Sequence, residues 1–326
     1  MSDGDNAVPA LHDFEPHEDD STAEILKGLA ATPKRISPKY FYDERGSQLF
    51  DAITELPEYY PTRTELAIMR ENVGEIARLV GPDASLIEFG SGSSLKTQIL
   101  LENLDRLAAY VPVDISKEHL LAAAERIAAQ FPHIEVLPVC ADFTQPFELP
   151  DPRVTPVRNL VYFPGSTIGN FQRPQALALL KAMSRVATEG GALLIGVDLD
   201  KDPRIITRAY NDSAGVTAEF NLNMLAHLNR EYRADFDLTQ FEHRAVYDRG
   251  DTRIEMQLVS RRAQTVTLSG RRIKFREGEH IITEYSHKYA REEFAQLAGE
   301  AGFAVERVWT DAEELFSVQF LVCTAD

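Results

Sequence analysis

The stretch Ser85-Leu86-Ile87-Glu88-Phe89-Gly90-Ser91-Gly92-Ser93-Ser94-Leu95-Lys96-Thr97 carries the first residues able to do chemistry. A short apolar run meets a Gly-Ser-Gly turn and passes into helix-compatible sequence from Leu95 to Leu107. Strand, glycine turn and helix together bring backbone N–H groups and a helix N-terminus against a ligand. Glycine suits the turn because it accepts positive φ and lets a ligand touch the backbone. The dinucleotide fingerprint is incomplete, since Leu95 stands where its third glycine belongs. Glu88 precedes the turn, and a second acid, Asp114, ends the next apolar stretch, Tyr110-Val111-Pro112-Val113. A carboxylate at a strand end can accept both hydroxyls of a ribose. The combination favours S-adenosylmethionine over NAD, and hence a methyl-transferring enzyme.

The elements that must position these residues alternate. Apolar strands are expected at 85–89, 110–113, 135–139, 158–163 and 191–197, separated by amphipathic helices at 95–108, 117–130 and 174–187. Ser116 is a plausible N-cap for the second of these helices. Such alternation predicts a parallel sheet with helices on both faces and ligands at the carboxyl ends of its strands. Glu88, Asp114, Asp142 and the loop Gly165-Ser166-Thr167-Ile168-Gly169-Asn170 collect there. Upstream, 22–31 reads as a short helix, and a tyrosine-rich connection ends at a helix that Thr62 or Thr64 would cap. After Asp198 the pattern changes to one helical stretch, 203–230, and a strand meander over 252–285; helix 290–301 and strands 303–309 and 316–323 return to the sheet. The expected organisation is therefore an acidic mobile tail (1–20), an α/β domain (61–198 and 286–326), and a smaller α+β substrate domain (21–60 and 199–285).

Composition bounds the function. The 326 residues are 44% apolar and 26% charged, an ordinary globular balance. No apolar run approaches the roughly 20 residues of a membrane span. The formal charge of −17 argues against a nucleic-acid partner, which demands a basic surface. A small zwitterionic or cationic substrate fits better. Cys140 and Cys323 lie in apolar runs and read as reduced core residues of a cytoplasmic protein. The eight histidines show no metal-ligand spacing, so no metal is expected.

Several separate motifs, in order, then carry a resemblance. They are Lys39-Tyr40-Phe41-Tyr42-Asp43, Leu56-Pro57-Glu58-Tyr59-Tyr60-Pro61-Thr62-Arg63-Thr64-Glu65, Glu88-Phe89-Gly90-Ser91-Gly92, Gly165-Ser166-Thr167-Ile168-Gly169-Asn170, Ala209-Tyr210-Asn211-Asp212 and Thr283-Glu284-Tyr285-Ser286. From about residue 22 onward the chain resembles the histidine Nα-methyltransferases of ergothioneine biosynthesis, which trimethylate L-histidine to hercynine. The resemblance implies a Rossmann-like class I methyltransferase sheet, with L-histidine and its mono- and dimethyl forms as substrates; a monomer is expected, although the sequence does not fix the oligomeric state. The resemblance further implies that Tyr42, Gly90, Lys96, Asp114, Asp142 and Phe143 hold S-adenosylmethionine, Asp114 at the ribose and Asp142 and Phe143 at the adenine. Tyr59, Asn170 and Tyr210 would hold the amino acid backbone. Glu284 and Ser286 would read the imidazole, with Met256 lining the pocket. Tyr42 and Tyr59 are the two candidates beside the reacting amine, and the choice between them stays open.

Each residue taken singly has a plainer reading. Strand-end acids can be turn acids, Tyr59-Tyr60 can be interface packing, and Asn170 can cap a helix. Glu284 in an apolar strand needs a partner, for which Lys288 or an arginine is available. Two other functions compete: methylation of a different amino acid such as tryptophan, and an inactive binding module.

Overall fold

The structure, a computed structural model, describes residues 9–14, 18–91 and 95–324. Strand β1 (His12–Asp13) and helix α1 (Glu18–Ala30) lead to β2 (Lys34–Arg35), a 3-10 turn at Pro38–Phe41, and helices α2 (Glu44–Thr54) and α3 (Tyr60–Val80). The alternating region follows: β3 (Ala84–Phe89), α4 (Leu95–Asn103), β4 (Ala109–Asp114), α5 (Lys117–Gln130) and β5 (Val139–Cys140). It continues through β6 (Arg158–Phe163), a 3-10 turn at Thr167–Asn170, α6 (Arg173–Ala187) and β7 (Ala192–Asp198). Helices α7 (Pro203–Ala209) and α8 (Val216–Glu231) precede β8 (Phe241–Asp248), β9 (Arg253–Ser260), β10 (Gln264–Leu268), β11 (Arg271–Phe275) and β12 (His280–His287). Helix α9 (Arg291–Gly299) and strands β13 (Phe303–Thr310) and β14 (Phe316–Cys323) follow.

The large sheet has the order β1-β5-β4-β3-β6-β7-β14-β13. Strands β1 and β3–β7 run parallel, and β14 joins antiparallel to both β7 and β13. Every residue of β3 and β7 is buried, as expected when helices cover both faces. Alternation sorts their side chains. Ile87 and Phe89 enter one core with α6 and α9, whereas Leu86 enters the other with α3, α4 and α5. A third core gathers Ile25 to Tyr60 with Ile206 to Ile281 around the sheet β2-β12-β9-β8 and the hairpin β10-β11. Among the described residues no helix is long and apolar enough to cross a membrane.

Several local expectations change. The stretch 203–230 is two helices, because Asp212 accepts from the N–H groups of Val216 and Thr217 and starts α8 behind Gly215 (φ 78°). Strand β8 was not expected; it is the partly exposed edge of its sheet. The strand foreseen at 135–139 pairs only at Val139–Cys140, with Val136 making a lone bridge to Tyr110. Helix α3 begins at Tyr60, with Pro61 in its first turn, so neither Thr62 nor Thr64 caps it. Ser116 does stand at the N-cap of α5, though its side chain makes no capping bond. Within the segment read as a mobile tail, His12–Asp13 pair with Val139–Cys140, and Asp13 meets Lys117 at 2.6 Å. Residues 1–8 and 15–17 of that segment, and Gly92, Ser93 and Ser94 of the glycine turn, lie outside the described residues. Cys140 and Cys323 are both buried, and among the described residues they form no disulfide.

Candidate active site

One group of the expected residues lines the carboxyl ends of β3, β4 and β5. Gly90 follows β3 at φ 74°, and the N–H groups of Gly90 and Ser91 both donate to Val113 O. Asp114 ends β4, one carboxylate oxygen accepting from Ser116 N–H at 2.8 Å, and burial raises its pKa. Asp142 folds into a turn held by Thr144 N–H and hydroxyl at 2.9 and 2.6 Å. Phe143 stacks on Phe89 with centroids 5.5 Å apart, forming an aromatic wall beside Gly90. Lys96, in the first turn of α4, meets the buried Glu65 at 2.7 Å. Glu65 also accepts from Gly165 N–H and lies over Gly196, where a Cβ would sit 2.2 Å from its carboxylate.

Glu88, the other strand-end acid, does not face a ligand. It is wholly buried and receives Thr97 Oγ1 at 2.7 Å and Tyr110 OH at 2.6 Å. Burial pushes its pKa up to about 7, and the two hydroxyls pull against that. Its work is to tie α4 and β4 to β3.

A second group meets where the two sheets approach. Tyr42 follows the 38–41 turn, Tyr59 stands at the start of α3, and Tyr210 ends α7. Their rings form a chain through Phe50: Tyr42–Phe50 at 5.8 Å, Phe50–Tyr59 at 6.2 Å and Tyr59–Tyr210 at 6.4 Å. Glu284 and Ser286 are two apart on β12 and share a face. The register of β12 against β9 shifts between Ile282 and Glu284, which places Glu284 opposite Met256. Thr283, inside that irregularity, donates to Asn221 Oδ1 at 2.7 Å. Asn221 in turn reaches His243, whose other nitrogen holds Tyr210 O at 2.9 Å, so one buried network steadies both Glu284 and the Tyr210 turn.

Among the described residues no hydrogen bond or ion pair engages the Glu284 carboxylate. Burial pushes its pKa up to about 7, with Lys288 pulling it down. The hydroxyls of Tyr59 and Tyr210 are pushed up by burial, and the Glu284 carboxylate adds to each; Tyr42, 44% exposed overall, is pushed the same way at its hydroxyl end. Tyr42 also feels Asp114, so it joins the two groups. Asn170 ends a 3-10 turn that lies flush on β12: a Cβ on Gly169 would sit 2.8 Å from His287 O. A cleft of about 1310 Å³ opens at Tyr42 and is lined also by Arg45, Ile115, Lys117 and Arg230; of this second group, only Tyr42 borders it.

Sequence reasoning missed the cluster beneath this site. Asp198 receives Tyr60 OH at 2.9 Å, Lys201 at 2.6 Å and Lys288 at 2.7 Å, all of them buried. Lys288 therefore pairs with Asp198 and leaves Glu284 without the ion pair suggested for it. Position was the available signal: Asp198 ends a parallel strand, and Lys288 continues the alternation of Glu284 and Ser286.

A bound S-adenosylmethionine would meet chemistry that suits it at the β3–β4–β5 ends. Among the described residues the buried Ser91 Oγ has no hydrogen-bond partner, Asp114 offers a strand-end carboxylate, and Phe143 supplies an aromatic face.

Comparison with known proteins places this arrangement. Residues 21–323 match the family model described as histidine-specific methyltransferase, SAM-dependent. The chain is 43% identical to the histidine N-alpha-methyltransferase of Mycolicibacterium smegmatis, over 93% of this chain and 96% of that one. It is 33% identical to ergothioneine biosynthesis protein 1 of Neurospora crassa, over 86% of this chain and 32% of that longer one. In fold it is similar to an S-adenosylmethionine-dependent methyltransferase from Clostridium acetobutylicum, with a TM-score of 0.50 and 11% identity over 86% and 99% of the two chains. The chain belongs to the histidine-specific, S-adenosylmethionine-dependent methyltransferase family.

Proposed function

We propose that the protein trimethylates the α-amino group of L-histidine to hercynine, the first step of ergothioneine biosynthesis. The observation that carries this reading is Glu284: a partly buried carboxylate without a protein partner among the described residues, two positions from Ser286 and ringed by three tyrosines. A buried carboxylate of this kind calls for a hydrogen-bond donor from the ligand. An imidazole N–H is such a donor, and an aliphatic or phenyl side chain is not.

The bodies divide the labour in this reading. Residues 61–198 and 286–326 form the methyltransferase part, and 21–60 with 199–285 form the substrate-binding part. Asp114, Asp142, Phe143, Gly90, Lys96 and Tyr42 hold the cofactor, with Lys96 fixed in place by its ion pair with Glu65. When bound, S-adenosylmethionine supplies an activated methyl group on its sulfonium. Tyr59 and Asn170 orient the amino acid backbone, with Tyr210 beside them. Among the described residues no hydrogen bond engages the Asn170 side chain. Met256 packs below the ring.

The protein's task at the acceptor is alignment of a neutral amine. Tyr42 and Tyr59 stay protonated, because burial and Glu284 oppose phenolate formation. Each therefore offers a lone pair to an amine N–H and leaves the proton to pass to water. Hydroxyls and the Asn170 amide can exchange partners as methyl groups replace amine protons. A cytoplasmic setting fits the two buried thiols, and we take the protein to act as a monomer on small molecules.

The test is direct. Purified protein, S-adenosylmethionine and a panel of amino acids are followed by mass spectrometry. Histidine gaining three methyl groups faster than any other amino acid is expected. Preferred methylation of tryptophan, or of none, would overturn the reading.

A further inference from the structure

Lys288 lies two residues beyond Ser286, and its side chain is 0% exposed. An ammonium has three N–H donors and no acceptor. The structure gives each donor a partner: Asp198 Oδ2 at 2.7 Å, Ser286 Oγ at 2.7 Å and Tyr210 OH at 3.3 Å. Tyr210 oxygen accepts from Lys288, and the Tyr210 hydroxyl donates to Ser286 Oγ at 2.9 Å. Ser286 Oγ thus accepts from the ammonium and from the phenol. A serine hydroxyl has two acceptor lone pairs and one proton. Ser286 can offer a further ligand only its proton.

We infer that Lys288 is a positioning residue that acts through Ser286: it commits the serine to donate, so the site takes one neutral tautomer of the substrate imidazole, with its N–H toward Glu284. This rests on the reading that Glu284 and Ser286 hold the ring. An imidazolium carries two donors and would set an N–H against the serine proton. A ring with no acceptor atom leaves that proton unpaired in a buried place, the kind of mismatch that discriminates strongly. Asp198 anchors the device. It keeps Lys201 and Tyr60 when Lys288 is replaced, so Lys288→Met does not strand a buried carboxylate.

The experiment measures histidine affinity by calorimetry, with S-adenosylhomocysteine present, for wild type, Lys288→Met, Ser286→Ala and the double variant. Each single change is expected to weaken histidine about tenfold, with the double variant within roughly threefold of Ser286→Ala, because both act through one hydroxyl. Affinity for S-adenosylhomocysteine alone is expected to hold within about twofold. Losses that multiply to about a hundredfold in the double variant, or an unchanged Lys288→Met, overturn the proposal. A second readout needs no variant to fold: nitrogen-15 NMR of ring-labelled histidine bound to the wild-type protein. One pyrrole-type and one pyridine-type nitrogen is the expected signature, and two protonated nitrogens overturn it. Wild-type protein that binds S-adenosylhomocysteine but not histidine defeats the underlying reading of the site. Histidine bound tightly with independent losses defeats the role of Lys288 alone.

Discussion

Two carboxylates, Asp114 and Glu284, show how environment assigns roles to similar residues. Asp114 sits at a strand end with one oxygen engaged by a backbone N–H. Asp114→Ala is expected to weaken S-adenosylmethionine binding by about 1.5–3 kcal/mol, the range for a hydrogen bond to a charged group. Calorimetry on the folded variant checks this, and unchanged affinity would remove Asp114 from the site. Glu284 is held partly buried on β12 at a cost to stability. Its pKa is raised in the fold to about 7 from 4.5, so the folded state binds the proton more tightly than the unfolded one. Stability from this group therefore falls as pH rises between about 4.5 and 7, and the penalty persists above. Glu284→Gln removes the penalty. The variant is expected to be more stable than wild type by about 1–3 kcal/mol at pH 8, with the gain vanishing near pH 4. Denaturant titrations at the two pH values decide it. The same variant should lose most turnover of histidine, the usual exchange between stability and function at a site.

At the scale of elements, the site depends on contacts too close for side chains. The Thr167–Asn170 turn rests on β12 at Gly169, where an added Cβ would meet His287 O at 2.8 Å and His287 N at 3.2 Å. Backbone on both sides leaves little room to yield. Gly169→Ala is expected to lift the turn and carry Asn170 away from β12, lowering kcat/KM for histidine at least about tenfold, as small misplacements at a reacting centre do. Affinity for S-adenosylhomocysteine should change little, because β3–β5 are untouched. Steady-state kinetics paired with calorimetry separates these outcomes; equal loss of both would place the damage in the fold as a whole.

At the scale of the molecule, Asp198 is the rivet. It ends β7 of the large sheet, and it binds Lys288 just past β12 of the small sheet and Tyr60 at the start of α3. Asp198→Ala leaves two buried lysines facing one another. A loss of about 3–5 kcal/mol is expected, the range for removing one partner of a buried pair. Chemical denaturation measures it, and a change under about 1 kcal/mol would show that the cluster is not structural cement. The pH dependence of the whole reaction has its own sign. The acceptor must lose a proton and the tyrosines do not ionise, so turnover should rise from pH 7 toward pH 9, provided the methyl-transfer step limits the rate. A flat profile under that condition would count against a neutral-amine acceptor.

The sequence by itself determined the alternating sheet, because buried parallel strands such as Leu86–Phe89 and Leu193–Val197 must read as apolar runs between amphipathic helices. It also determined the family, because motifs from Lys39 to Ser286 occur in order. Tertiary structure alone decided what each polar residue does. Glu88 and Asp114 look alike in one dimension, yet Tyr110 and Thr97 claim the first, while the second stays at the strand end with a backbone N–H on one oxygen. Lys288 stands four residues from Glu284 but pairs with Asp198, ninety positions away. The split of 203–230 at Asp212 and the edge strand β8 were likewise hidden. Helical periodicity does not register a cap formed by one side chain, and a half-exposed edge strand has little apolar pattern to read. Periodicity reports how much of an element is buried; it carries no information about which buried charge meets which, and at this site that pairing is the chemistry.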